Sequence, residues 1–321
     1  MADNREAFSG SPVCKWAKKK KVTTCIPGLH VRTMSFCAPS RTGREGTTCF
    51  NADELEVLAH AWNDTPAGRQ RPIDIPDPLT VTDEDRKSRL HAELLSRFQP
   101  FCNSAEYCWL DNKELNASLK QISPGLHRLI HASILKPKGT PGKNDWLSTT
   151  EIDNVMIQYE ELFPDFKYLG CFPSDYFLIH PEALPVSDIS ASKRSAIVYN
   201  LDSARQPGSH WVAIYFHKNG SDGKLTIEYF DATGRGPNKN LKTFLALPYF
   251  ANARYAENAF PHQKGDNECG VYSLYFILER LMGRSFEDMS RKRIPDTAMN
   301  RFRTFLFRPF SEAFSVDSWH G

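Results

Sequence analysis

Residues 271–283, "VYSLYFILERLMG", are apolar nearly all round and close on Gly283, a residue type favoured just past a helix end. A helix with no polar face must be covered on every side, so this run predicts a central helix with other layers built around it. The runs "SAIVYNL", "HWVAIYF" and "KLTIEYFDA" upstream of it are β-branched and aromatic and are separated by turn residues, which predicts consecutive strands. In "STTEIDNVMIQYEELF", Ser148 and Glu151 are spaced as a capping box, and Ile152, Val155, Met156, Tyr159 and Phe163 follow as one apolar stripe. "DTAMNRFRTFLF" predicts a last helix. The fold class implied is α+β, a mixed sheet packed on a buried helix.

The chain has 321 residues, 40% of them hydrophobic, enough for a sizeable core in one large or two modest domains. Residues 1–45 are polar, basic and without sustained periodicity, the signature of a flexible arm. Residues 46–135 predict a helical accessory region. In "NADELEVLAHAWN", Asn51 can cap a helix with Glu54 three residues on, and Leu55, Leu58, Ala59 and Trp62 share a face. "DEDRKSRLHAELLSRF", "DNKELNASLKQI" and "PGLHRLIHASIL" predict further helices, and residues 136–321 are left for the mixed α/β domain.

Net charge is +2, which demands neither nucleic acid nor membrane as a partner. Nothing approaches 18 consecutive apolar residues, and no N-terminal stretch reads as a signal peptide. The eight cysteines show no C-x-x-C pair, so the expectation is reduced thiols in a cytosolic or nuclear compartment. Cys14, Cys25, Cys37 and Cys49 recur at intervals too wide for zinc ligands, which normally come in pairs two to four residues apart, so no metal is expected.

Chemistry concentrates at Cys269, in the first turn of the central helix, where unpaired backbone N–H groups and the helix dipole favour a thiolate. A cysteine nucleophile needs a base, and the base needs a group to orient it. His210 opens one predicted strand and Asp231 ends the next; if the strands are antiparallel neighbours, the two meet at one sheet edge. Gln263, six residues before Cys269, could join the Cys269 N–H in an oxyanion hole. Each residue also has a plainer role: Cys269 buried structure, His210 packing, Asp231 turn formation in "DATG". His262 is a competing base because it is close to Cys269 in sequence. Set in the order His-Trp, Asp, Gln-x5-Cys-Gly on suitable elements, the four residues together point to a cysteine hydrolase. The order excludes papain-type enzymes, whose Cys comes first, and "NECGV" departs from the caspase signature.

"GSHWVAIYF", "YFDATG" and "HQKGDNECGVYSL" resemble the adenain and SUMO-protease superfamily of cysteine peptidases. The nearest likeness is to the virion-maturation proteases of large nucleocytoplasmic DNA viruses, also carried by "CFNADELEVLAHAWN", "YCWL" and "WLSTTEIDNVMIQYEELFPDF". The resemblance implies a papain-like cysteine protease core with His210 as base, Asp231 orienting it, Cys269 as nucleophile and Gln263 holding the oxyanion. Trp211 would wall the cleft; Trp146, at the head of the capped helix, is a further candidate substrate contact, with a core role as the alternative. Such enzymes cut viral core or capsid precursors at Gly-Gly-X sites, in the host cytoplasm (the viral factory) and the virion. Their cellular relatives release SUMO-like or ubiquitin-like modifiers, and a non-enzymatic module holding DNA or a capsid is a third reading. Adenain uses DNA as a cofactor, so Lys18, Lys19, Lys20 and Lys21 are candidate DNA contacts, with a solvated tail as the alternative; no other cofactor is implied.

Overall fold

The computed structural model describes residues 36–41, 48–183, 185–218 and 223–315. Lys18 to Lys21, Cys14 and Cys25 lie outside the described residues. Packing divides the described residues into two units, one within 142–307 and the other within 36–141 and 308–315. Residues 136–141 and 308–315 therefore group with the helical unit, where the sequence had assigned everything from 136 onward to the mixed α/β domain.

The helical unit is built on α1 (Ala52–Asp64), α2 (Asp83–Cys102) and α3 (Lys113–Ile122). The capping box forms at the head of α1: the Asn51 side chain accepts from the Glu54 N–H at 2.8 Å, and the Glu54 carboxylate accepts from the Asn51 N–H at 2.8 Å. Leu55, Leu58, Ala59 and Trp62 are buried, with Leu90, Leu94 and Phe98 of α2 and Leu115 and Leu119 of α3 in the same apolar cluster. The Arg86 guanidinium of α2, itself buried, pairs with Asp53, Glu56 and Asp83 and so ties α1 to α2.

Two disulfides, Cys37–Cys49 and Cys102–Cys108, lie in this unit. They overturn the expectation of reduced thiols for these four residues. Sequence spacing misled because the fold closes the gaps. Cys37 bridges to Leu135 and the Cys49 N–H donates to Glu106, while Cys102 ends α2 just before the turn that carries Cys108.

The other unit carries a five-stranded mixed sheet in the order β1 (Phe166–Phe172), β2 (Arg194–Asn200), β3 (Trp211–Lys218), β4 (Leu225–Phe230) and β5 (Arg254–Glu257). The three central strands run antiparallel to one another, and β1 and β5 are added parallel at the edges. Both faces are covered, so β2 and β3 read as continuous apolar runs. On one face Ala196, Val198, Ala213, Tyr215 and Phe230 join the core that contains Val271, Leu274 and Phe276. On the other, Ile197, Tyr199, Val212, Ile214 and Phe216 pack with Phe177, Leu241, Phe244 and Phe250.

The capped helix is α4 (Thr149–Leu162), the central helix α5 (Cys269–Leu281) and the last helix α6 (Asp296–Leu306). Every residue of α5 except Arg280 is buried, as its all-round apolar character requires. Phe276 stacks on Phe230 of β4, their ring centroids 4.7 Å apart, and α5 ends at Gly283 with φ of 86°. This is the α+β arrangement the sequence implies, with the head of α5 near the ends of the central strands.

Candidate active site

Three element ends converge on one point. His210 directly precedes β3 and Asp231 directly follows β4, and the antiparallel register that pairs Ala213 with Phe230 brings the two together. His210 Nε2 lies 2.7 Å from Asp231 Oδ1. Cys269 is the first residue of α5, and its side chain lies close enough to His210 to help raise the pKa of the imidazole. Since Nε2 is taken by Asp231, it is Nδ1 that remains for the sulfur.

Burial pulls the His210 pKa down, but the hydrogen bonds and charges of Asp231 and Cys269 outweigh it and hold the imidazole up at about 9. The imidazolium is therefore the favoured form at neutral pH. Glu268 provides no side-chain cap for α5, so the first-turn N–H groups beside Cys269 are left to attract a negative sulfur or an incoming oxyanion.

Asp231 is fully buried and held from several directions. Its Oδ1 also accepts from the N–H of Thr233 at 2.7 Å and from its hydroxyl at 2.8 Å, so the turn-forming role in "DATG" and the pairing with His210 coexist. Asn258 clamps the Asp231 backbone: its Oδ1 accepts from the Asp231 N–H and its Nδ2 donates to the Asp231 carbonyl, each at 2.8 Å.

Gln263 lies on the loop before α5. Its own N–H donates to Ala232 at 2.9 Å, which anchors this loop beside the Asp231 turn. Its side-chain Nε2 donates to the Gly265 carbonyl at 2.8 Å, which engages one amide proton and leaves the second uncommitted. The loop is gripped from α6, where Asp296 accepts from the Lys264 and Gly265 N–H groups at 3.1 Å each. His262 is wholly buried, and its Nδ1 accepts from the Ile294 N–H at 3.2 Å. Burial, with the charges of Arg293 and Arg284, pushes its pKa down to about 4. It is a neutral packing residue, which removes the case for it as a competing base.

The two tryptophans border the head of α5. Trp211 Nε1 donates to the Leu147 carbonyl at 2.8 Å, and a Cβ added to Gly270 would come within 3.2 Å of both the Trp211 ring and Leu147. A side chain at 270 would therefore require the indole or Leu147 to shift slightly, and glycine lets both lie closely against the segment bearing the thiol. Trp146 is 48% exposed, with Nε1 donating to Asn267 Oδ1 at 2.6 Å, so the core alternative fails for this residue. Sequence reasoning missed Asn258, Asp296 and Arg303. Arg303, 6% exposed, donates Nη1 to the Asp145 carbonyl at 2.6 Å and Nη2 to the Asn267 carbonyl at 3.1 Å. All three act on loop backbone, which leaves no motif to read.

A thiol at a helix head and an imidazole bonded to a buried carboxylate are the groups that acyl transfer uses as nucleophile, base and orienting group. Residues 199–317 match the family described as Ulp1 protease, C-terminal catalytic domain. The chain is a cysteine-type peptidase carrying a Ulp1-type domain. Among curated relatives it is similar to a protein of Acanthamoeba polyphaga mimivirus named thiol protease R355, 29% identical over 295 residues, 86% of this chain and 94% of that protein. It is also similar to cysteine protease S273R of African swine fever virus, 26% identical over 265 residues, 74% of this chain and 96% of that protein. A crystal structure of the African swine fever virus pS273R protease shares the fold of this peptidase with a TM-score of 0.57 at 22% identity, over 71% of this chain and 94% of that one. The peptidase is thus similar to proteases named in two large DNA viruses. Among its described residues no helix is long and apolar enough to cross a membrane.

Proposed function

We propose that this peptidase is an endopeptidase that cleaves viral core or capsid precursors at Gly-Gly-X sites during virion maturation. The observation that carries the chemistry is the His210–Asp231 bond of 2.7 Å, with Cys269 at the head of α5 among the groups that raise the pKa of the same imidazole. The Cys269 thiolate attacks the glycine carbonyl carbon, and the resulting oxyanion takes hydrogen bonds from the Cys269 N–H and the Gln263 amide. His210 gives its proton to the departing amine as the C–N bond breaks, leaving a thioester on Cys269. His210 then takes a proton from water, whose oxygen attacks the thioester; the C–S bond breaks, the acid is released, and the Cys269 thiolate and His210 imidazolium are restored. Asp231 keeps the imidazole oriented throughout. A glycine carbonyl suits a site whose thiol-bearing backbone lies directly against an indole, where a substrate side chain would collide.

Precursor processing is favoured over modifier release by the reach of the likeness: it covers 94% and 96% of two viral relatives and includes the helical unit of this chain. Release of a SUMO-like modifier is the second reading, favoured by the name SUMO-1 cysteine protease carried by other African swine fever virus relatives. The test incubates wild type and Cys269→Ala with Gly-Gly-X peptides and with Gly-Gly modifier fusions, with and without DNA. Cleavage of the peptides by wild type alone is expected. Turnover confined to the fusions overturns the precursor reading, and activity retained by Cys269→Ala overturns the site. Stimulation by DNA is the outcome expected if Lys18 to Lys21 bind it.

A further inference from the structure

Asp296 and Arg303 stand seven residues apart on α6, about two helical turns, and so face the same way. Asp296 takes the loop that carries Gln263. Arg303 takes two other strands of backbone at once: the Asp145 carbonyl through Nη1 and the Asn267 carbonyl through Nη2. Those strands are joined a second time, because the Trp146 indole donates to the Asn267 side chain. Arg303, Asp145, Trp146 and Asn267 thus close a ring, and Asn267 is two residues from the thiol. The next residue, Leu147, receives the Trp211 indole and packs over Gly270.

Holding this ring with a guanidinium is costly. Arg303 is nearly fully buried, and its Nε finds no partner among the described residues. A buried ionic group can often be replaced by apolar packing with no loss of stability, so the charge itself is no recipe for a firmer core. What only an arginine supplies is a rigid fork that meets two carbonyls from two chain segments in fixed geometry. The acidic groups that face it are Glu268, Asp145 and Glu151, with the Cys269 thiol also within its field.

We propose that Arg303 is a positioning residue of this peptidase, whose fork sets the distance between the Asp145–Leu147 segment and Asn267 and thereby places both indoles against the head of the nucleophile helix. The proposal rests on the reading of Cys269 as the nucleophile acting on Gly-containing peptides. Its role is geometric, so it aligns the scissile bond, and a misplacement of about 1 Å costs on the order of 10²-fold in rate.

The test compares full-length wild type, Arg303→Lys, Trp146→Phe and the double variant. It measures kcat and KM on a Gly-Gly-X peptide, the rate at which iodoacetamide alkylates Cys269, and thermal unfolding. Lysine keeps the charge but has no rigid fork to hold two carbonyls in fixed geometry. Arg303→Lys is expected to lose on the order of 10²-fold in kcat, with Cys269 alkylated at close to the wild-type rate. Trp146→Phe, at an exposed position, should also lower kcat, and the double variant should lose no more than the larger single loss, because both changes open the same ring. Wild-type kcat in Arg303→Lys overturns the proposal, and so do losses that multiply in the double variant. Should Arg303→Lys fail to fold, unchanged kcat in Trp146→Phe overturns it instead. Failure of the substrate reading looks different: wild type is then inert on the peptides while Cys269 still alkylates, and the proposal falls with it.

Discussion

His210 is the residue whose protonation the site controls most directly. Its pKa is raised from 6.5 to about 9 although burial alone would lower it, so the opposing bonds and charges from Asp231 and Cys269 prevail. The leaving amine needs a proton from the imidazolium, so kcat/KM should fall as pH rises through about 9. The stability contributed by this group has the same sign: full below the unfolded value near 6.5 and lost as pH rises through about 9. Asp231→Asn removes a negative neighbour while keeping an acceptor, so the alkaline limb should move to lower pH, read from the pH–rate profile; an unmoved limb would show that Asp231 does not set it. The other free thiol among the described residues, Cys171, behaves differently. Burial first, and then the charge of Asp153, push it well up, so at neutral pH iodoacetamide should modify Cys269 far ahead of Cys171, as followed by peptide mass mapping. His210, Asp231 and Cys269 were legible because each sits where a strongly patterned element begins or ends. Asn258, Asp296 and Arg303 were not, because their partners are backbone groups of irregular loops.

At the scale of elements, legibility follows how completely each is buried. The three central strands and α5 carry apolar runs that admit few other readings, and the capping boxes of α1 and α4 form as their spacing requires. The edge strands did not announce themselves. β1 contains Gly170 at φ of 115° and shifts register between Tyr168 and Gly170, which breaks the period-two pattern. β5 is four residues long and largely exposed, so burial imposes almost no pattern on it. The element that carries Cys269 packs on the sheet partly through Phe276, which stacks on Phe230 of β4. Phe276→Ala should cost about 3–5 kcal/mol of stability by chemical denaturation, because a helix covered on all sides cannot collapse into the vacated space. A cost under about 1 kcal/mol would mean that the layer is far more loosely packed than this stacking implies.

Across the whole molecule the two units rely on different means of stabilisation. The sheet unit buries α5 on every side and covers both sheet faces, which is a large core for its length, and its described cysteines, Cys171 and Cys269, are free. The helical unit has a single cluster and adds two disulfides and the buried Arg86 cluster of carboxylates. The sequence misled here for a physical reason: disulfide pairing depends on which residues the fold brings within about 6 Å, whereas spacing along the chain reports only local pairs. Cys37 and Cys49 are 12 residues apart, and a closed loop of this size restricts the unfolded chain by about 3 kcal/mol; the separation of 6 between Cys102 and Cys108 gives less. Alkylation without reductant, followed by mass mapping, should therefore leave these four cysteines unmodified while Cys269 reacts. Adding a reductant should expose all four and lower the unfolding free energy by about 3–5 kcal/mol. Immediate modification of the four in the absence of reductant would return them to free thiols and leave the helical unit resting on its apolar cluster and the Arg86 ion pairs alone.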